Sequence, residues 1–260
     1  MQITFLGTRG YIDITSRRHK WHASTLLTYR GKRIMIDCGL DWTKKVWSIK
    51  PDAIVITHAH PDHAWGLKYG SPCPVYATEQ SWDLMSAYPI KDQYLLEPRK
   101  PVMICGLLFE TFPVIHSLRA PAVGYRITAG TTIIFVAHDI IAIEQRHAAL
   151  KDAQLYIGDG ASITRPIIRS YFAPGLLPSC EAYRGASKDK SKNGKLFGHT
   201  TIRAQLGWCE KEGVPRAIFT HCGSQIVGGD GRVLNAQVRK LGLERGVEAT
   251  VAYDGMEIVL

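Results

Sequence analysis

The chain is 260 residues long and 45% apolar, enough to bury a sizeable core, and one layered α/β domain covering residues 1–260 is expected. Thirty-two Lys and Arg against 23 Asp and Glu leave a formal charge of +9, so the surface favours anions, with phosphates and nucleic acids foremost. No run of about 18 apolar residues occurs, which excludes a membrane-spanning helix; the six cysteines form no C-x-x-C pair, which argues against a zinc ribbon or a disulfide framework.

In chain order, Met1 to Leu6 alternates as a strand, too short and too evenly patterned for a signal peptide, and a cytoplasmic location is expected. Gly7-Thr-Arg-Gly10 then reads as a turn able to approach a phosphate, although a lone G-x-x-G is weak evidence. Residues 11 to 22 carry Arg17, Arg18, His19, Lys20 and His22, a basic loop that is either a solvated connection or a substrate contact. Ala23 to Tyr29 and Lys32 to Ile36 form a hairpin about Arg30-Gly31 that ends on Asp37. Asp37 is either a turn-former or an acceptor that orients a neighbouring histidine.

Ile54 to Thr57 reads as a buried strand, and His58, His60, Asp62 and His63 follow within six positions. Imidazole and carboxylate are the nitrogen and oxygen ligands zinc prefers. Residues two apart on an extended segment project to one side, so His58 and His60 can grip one ion. Asp62 and His63 fall past Pro61 in the following loop, displaced enough to face a second ion. The bland alternative is a polar loop that happens to be rich in histidine.

Pro74 to Ala77 is a short strand, and Thr78 caps a helix running to Met85. Val102 to Leu107 and Leu108 to Val114 are strand-rich and lead to His116. A hairpin of Tyr125 to Thr128 and Thr131 to Val136 leads to His138 and Asp139. Glu144 to Lys151 reads as a helix, and Ala153 to Ile157 as a strand turning at Gly158-Asp159-Gly160. Residues 161 to 197 form the least regular stretch, and its lysine run reads as a solvated loop or as a phosphate-attracting flap of Lys188, Lys190, Lys192 and Lys195. Thr200 or Thr201 caps a helix ending at Gly213. Ala217 to Thr220 is a strand ending in His221, and a helix from about Leu234 to Leu243 and two closing strands complete the chain. Cys38 and Cys222 adjoin ligand-type residues but alternate to the opposite face, which suits core packing.

The H-x-H-x-D-H run, followed in order by a His, an Asp and a His at strand ends, resembles the metallo-β-lactamase fold superfamily over essentially the whole chain. That resemblance implies a four-layer αββα sandwich with a two-metal site at one edge. It further implies that His58, His60 and His116 bind one ion, that Asp62, His63 and His221 bind the other, and that Asp139 bridges them with Asp37 in support. The ions implied are zinc, with manganese as the alternative. His138 rivals His116 or Asp139 by chemistry alone but precedes the matching Asp and is expected to point away, and His147, in a polar helix, is expected at the surface.

Phe5-Leu-Gly-Thr8, Gly198-His-Thr-Thr201 and Val214 to His221 look most like the phosphodiesterase branch, which includes ribonuclease Z and cyclic-phosphate and cyclic-nucleotide phosphodiesterases. In that branch a histidine in the place of His199 protonates the leaving oxygen, and Asp62 is both ligand and handle on the attacking water. The branch usually carries a Gly-Asp-Thr-like bridging motif, whereas this chain reads Ala137-His-Asp-Ile140, with Gly-Asp only at Gly158-Asp159; Asp139 is kept as the bridge, and Asp159 is either its rival or a support for His199. No long Gly- and Pro-rich arm stands out between His63 and His116, which weakens a transfer-RNA substrate. The expected partner is a phosphodiester, nucleic acid or cyclic nucleotide, with no membrane, and a homodimer is compatible with the chain. The rival readings are a lactone, amide or thioester hydrolase, a diiron oxidoreductase, and a non-catalytic nucleic-acid-binding module.

Overall fold

The computed structural model describes the backbone of residues 1–171 and 195–260. Its N-terminal strands are β1 (Gln2–Gly7), β2 (Ser24–Tyr29), β3 (Lys32–Ile36), β4 (Ala53–Val55), β5 (Val75–Ala77) and β6 (Gln93–Leu95). They lie side by side in that order, with the C-terminal strand Met256–Val259 on the free side of β1. β1 to β3 pair antiparallel, while β3 to β6 are parallel neighbours.

The second sheet is built from β7 (Val102–Ile104), β8 (Leu107–Ile115), β9 (Ala122–Ala129), β10 (Thr132–Val136), β11 (Ala142–Ile143), β12 (Leu155–Asp159), β15 (Arg216–Thr220) and β16 (Glu248–Val251). Its order is β11-β8-β9-β10-β12-β15-β16, with β7 paired to β8. β10, β12, β15 and β16 run parallel. Parallel neighbours end on the same edge, and the residues just beyond those ends are brought together however far apart they lie in the chain.

Alternation sends one side of each sheet inward and the other outward, and both sides are apolar. Phe5, Leu27, Ile36 and Val55 of the first sheet meet Phe109, Tyr125, Ile134 and Ile157 of the second in a central core. The outer face of the first sheet, including Met35, Ile54 and Ile56, packs under Trp42, Val46 of α1 (Val46–Ile49), Leu67 and Met85. Beyond it lie α2 (Pro61–Ala64), near the sheet edge, and α3 (Glu79–Leu84). Phe135, Tyr156, Ala217 and Phe219 of the second sheet pack under α4 (Arg146–Leu150), α5 (Ile202–Glu212), α6 (Ser224–Val227) and α7 (Gly231–Leu243). Each fully buried Phe or Leu side chain stabilises such a core by roughly 1.5–3 kcal/mol. The result is the αββα sandwich of the metallo-β-lactamase fold.

The local chemistry agrees with the expected helix caps: the Thr78 hydroxyl accepts from the Ser81 amide, and Thr201 accepts from Ala204. Two expectations need correction. Asp62 and His63 sit on the single turn of α2, not in a loop, because Pro61 at its first position is already shaped for a helix. Residues 161–197 are not irregular throughout: β13 (Ile167–Tyr171) and β14 (Lys195–His199) pair antiparallel, with Ile167 facing His199 and Arg169 facing Phe197. Such a pairing of distant segments lacks the tight-turn signal that betrays a hairpin. Among the described residues no helix is long and apolar enough to cross a membrane.

Candidate metal centre

Apart from Asp62 and His63 on α2, the ligand-type residues foreseen within the described chain sit at or just past a strand end. Asp37 follows β3, His58 and His60 follow β4, His116 follows β8, Asp139 follows β10, Asp159 closes β12, His199 closes β14 and His221 follows β15. Two of these turn sharply: Asp37 has φ 62° and His221 φ 53°, left-handed conformations that cost a non-glycine residue about 1–2 kcal/mol. The strain re-aims both side chains from the sheet into the edge. Gly10 makes room for one of them, since a Cβ there would lie 2.9 Å from His221 Cε1. Gly39 does the same for α2, where a Cβ would lie 1.9 Å from the Asp62 carbonyl oxygen.

Donor atoms of His58, His60, His116 and Asp139 all lie within 4.8 Å of one another, and so do those of Asp62, His63, Asp139 and His221. Asp139 belongs to both sets. Its Oδ2 is 3.2 Å from His116 Nε2, 3.4 Å from His63 Nε2 and 3.6 Å from His58 Nε2, while its Oδ1 is 2.9 Å from His221 Nε2. Asp62 Oδ2 lies 3.1 Å from His221 Nε2 and 3.2 Å from His63 Nε2.

The far sides of these groups are held. His116 Nδ1 donates to the Gly198 carbonyl at 2.9 Å, and Thr57 Oγ1 lies 3.0 Å from His58 Nδ1. His63 Nδ1 donates to Asp37 Oδ2 at 2.8 Å, while the Thr57 amide donates to Asp37 Oδ1 at 2.7 Å. His138 donates to the same Asp37 Oδ2 at 2.8 Å and lies against Thr25 on its other side, so it faces Asp37 instead of the shared Asp139. His199 Nδ1 donates to Asp159 Oδ2 at 2.7 Å. His147 is exposed and pairs with Glu212.

The electrostatics divide the histidines. Burial, reinforced by the neighbouring His63 and His60, holds His58 well below its ordinary pKa, and burial brings His116 down to about 4 despite Asp139. His60 is lowered mainly by burial as well. These are neutral imidazoles, the form that binds metal. For His63 and His221 burial pulls the same way, but the facing carboxylates outweigh it and raise both well above the ordinary value. Burial likewise opposes ionisation of Asp62 and Asp139, yet the surrounding histidines hold both well below the usual carboxylate range. Three buried carboxylates, Asp62, Asp139 and Asp159, therefore converge on a space that calls for positive charge.

The donor set fits two divalent cations. Imidazole nitrogens and carboxylate oxygens are what zinc takes. His63 Nε2 and Asp139 Oδ1 are buried polar atoms that lie close to Asp62 and His221 yet meet neither with hydrogen-bond geometry. Buried polar groups are rarely left that way without a ligand to explain them.

Beside the centre a cavity of about 510 Å³ opens between α2, the ribbon of β13 and β14, the Gly10–Ile12 turn and Gly223-Ser224. His60, Asp62, Asp139, His199 and His221 reach it from within; Tyr11, Ile167, Arg169 and Phe197 form its outer walls. None of those four was singled out from sequence. The available signal was the two-residue spacing of Phe197 and His199, which is informative only once β14 is recognised as a strand. Lys188, Lys190 and Lys192 lie outside the described residues, as does the side chain of Lys195. Cys38 and Cys222 are buried free thiols, as core packing requires.

A four-layer αββα sandwich with two adjoining His/Asp donor sets sharing one carboxylate at its edge defines a metal-dependent hydrolase. Residues 32–222 match the model of the Beta-lactamase superfamily domain, and the chain belongs to that family. Among curated relatives, Ribonuclease Z of Lachnospira eligens is 38% identical over 72 residues, 26% of this chain and 23% of the relative. Exodeoxyribonuclease WalJ of Streptococcus pneumoniae is 34% identical over 110 residues, 35% of this chain and 40% of the relative. The matches thus span less than half of either relative. The metallo-beta-lactamase fold protein YhfI from Bacillus subtilis superposes with a TM-score of 0.69 at 16% identity, covering 99% of this chain and 98% of that one.

Proposed function

We propose that this hydrolase is a binuclear phosphodiesterase acting on a nucleotide, cyclic nucleotide or nucleic-acid phosphodiester. The observation that carries the reading is His199, held by the buried Asp159 at 2.7 Å and lining the cavity beside both donor sets. Expulsion of an alkoxide from phosphorus needs a proton donor at that side of the centre. The similarity to Ribonuclease Z and to Exodeoxyribonuclease WalJ supports the same substrate class.

In this reading His58, His60 and His116 hold one cation and Asp62, His63 and His221 the other, with Asp139 common to both. Zinc, or manganese in its place, would supply Lewis acidity toward the phosphoryl oxygens and a source of hydroxide at neutral pH. The protein's own groups do the rest. Asp62 accepts a hydrogen bond from the attacking water and orients it. Asp159 accepts from Nδ1 of His199, so the transferable proton sits on Nε2. Burial disfavours a charged His199, but the Asp159 carboxylate outweighs it and raises the pKa above the ordinary value. The imidazolium is then available to the leaving oxygen. Asp37 keeps His63 in one tautomer and one orientation.

The test is metal analysis of the purified protein, followed by hydrolysis of an aryl phosphodiester beside a lactone, a lactam and a thioester. Turnover of the phosphodiester is expected; turnover of only the carbonyl substrates reverses the assignment. Neutralising Lys188, Lys190, Lys192 and Lys195 together is expected to raise KM for an anionic substrate and flatten its salt dependence. Unchanged kinetics dispose of the flap.

A further inference from the structure

The ribbon of β13 and β14 carries more than His199. Side chains two apart on a strand share a face, and so do residues directly opposite on an antiparallel partner. Phe197 and His199 on β14, with their partners Arg169 and Ile167 on β13, therefore form one four-residue face, and all four line the cavity. An aromatic ring and a guanidinium stand side by side at the entrance to the centre.

Phe197 is oriented by its neighbours. Its ring meets His116 edge-on at 5.0 Å and His199 at 5.3 Å, and lies 6.0 Å from His60. Even so, 37% of it stays exposed. The Gly10–Ile12 turn contributes a second wall, on which Tyr11 is 62% exposed. At about 510 Å³ the cavity lies in the range that encloses a small organic ligand. It is larger than a phosphodiester group alone requires.

Resting on the phosphodiesterase reading, we propose that this cavity is a nucleoside subsite: Phe197 is the platform on which a nucleobase stacks, and Arg169 pairs with a phosphate of the same nucleotide. In a nucleotide a flat π-system and an anion are held at a fixed short separation, and the Phe197–Arg169 cross-strand pair presents a matching aromatic face and cation. An aromatic face accepts every base, so the subsite confers preference for nucleotides over other phosphodiesters without reading sequence. An alkyl group could occupy the apolar wall of Phe197, Ile167 and Ile12, but it makes no specific use of an aromatic ring.

The inference is tested by titration calorimetry on the zinc-loaded protein with thymidine 5′-monophosphate, 2-deoxyribose 5-phosphate and octyl phosphate. The wild type is expected to bind the nucleotide about tenfold or more tighter than the sugar phosphate. Phe197→Leu is expected to bring that ratio to within about twofold, while Phe197→Tyr keeps it; Arg169→Gln is expected to weaken both ligands by a similar factor. Metal content and thermal midpoint of each variant establish that the neighbouring His60 and His116 are undisturbed. Equal wild-type affinity for nucleotide and sugar phosphate overturns the subsite, as does an equal loss of both in Phe197→Leu. Octyl phosphate binding as tightly as the nucleotide overturns the base in favour of an apolar group. Failure here is separable from failure of the phosphodiesterase reading: a protein that prefers the nucleotide but hydrolyses no phosphodiester keeps the subsite and loses the reaction, and the opposite pair of results does the reverse.

Discussion

The two sheets contribute to the metal centre in different ways. The first delivers His58, His60, Asp62 and His63 from one continuous stretch, where a strand end, a proline and one helical turn aim all four side chains. The second delivers His116, Asp139 and His221, with Asp159 and the nearby His199, from separate strand ends. Each half has its own buried carboxylate in support: Asp37 holds His63, and Asp159 holds His199. A local motif thus builds half of the centre from neighbours in sequence. Parallel strand order builds the other half from residues that have only their edge in common.

This comparison predicts which substitutions reach both halves and which stay in one. Asp139 is the carboxylate common to the two donor sets, so Asp139→Ala should have the largest effect. Removing a partner of a metal ligand already costs about 10–100-fold in metal affinity or activity, and removing the shared donor should cost more. Metal analysis should find both ions depleted; retention of two ions would place the junction elsewhere. His199→Ala should lower kcat by about 10²–10⁴ while leaving metal content close to wild type. Loss of metal in that variant would make His199 a ligand and move it into the second half of the centre.

The supporting carboxylates sharpen the contrast. Asp37→Asn should weaken metal binding by about 10–100-fold, because one amide oxygen cannot accept from both the Thr57 amide and His63, as the two carboxylate oxygens do. Asp159→Asn should instead act mainly on kcat and its pH profile, with metal affinity less affected. Identical phenotypes for the two would erase the division of labour between the sheets.

The smallest effect on function lies outside the centre. His19 is buried against Thr8, whose hydroxyl in turn donates to Asp254, tying the basic loop to the turn between the last two strands. Burial, with a contribution from Arg18, lowers the His19 pKa from 6.5 to about 4. Between those values the unfolded chain binds the proton that the folded chain refuses, so stability falls as pH drops from about 6.5 toward 4 and levels off below. The loss is at most about 3 kcal/mol. Urea unfolding of metal-free wild type and His19→Gln at pH 7 and pH 4.5 should show the difference between them shrinking at the lower pH. A constant difference would mean that His19 does not titrate in this range.

Much of this centre was legible because its chemistry is dense. Four ligand-type residues in six positions after an apolar run leave few other readings, and the later His, Asp and His recur at strand ends that period-two patterning can locate. The paired role of Asp37 was readable as one of two alternatives; the contact with His63 decided it. His138, next to Asp139 and chemically equal to any ligand, faces Asp37 from the bend that follows β10.

Local sequence determined the hydrophobic periodicity, the helix caps at Thr78 and Thr201, and the His58–His63 motif, since each depends on residues within one or two turns of one another. Only the tertiary structure decided that β13 and β14 form one ribbon and that Phe197 and Arg169 stand beside His199. Those relations join segments tens of residues apart, through strand order and register that no short window of sequence encodes.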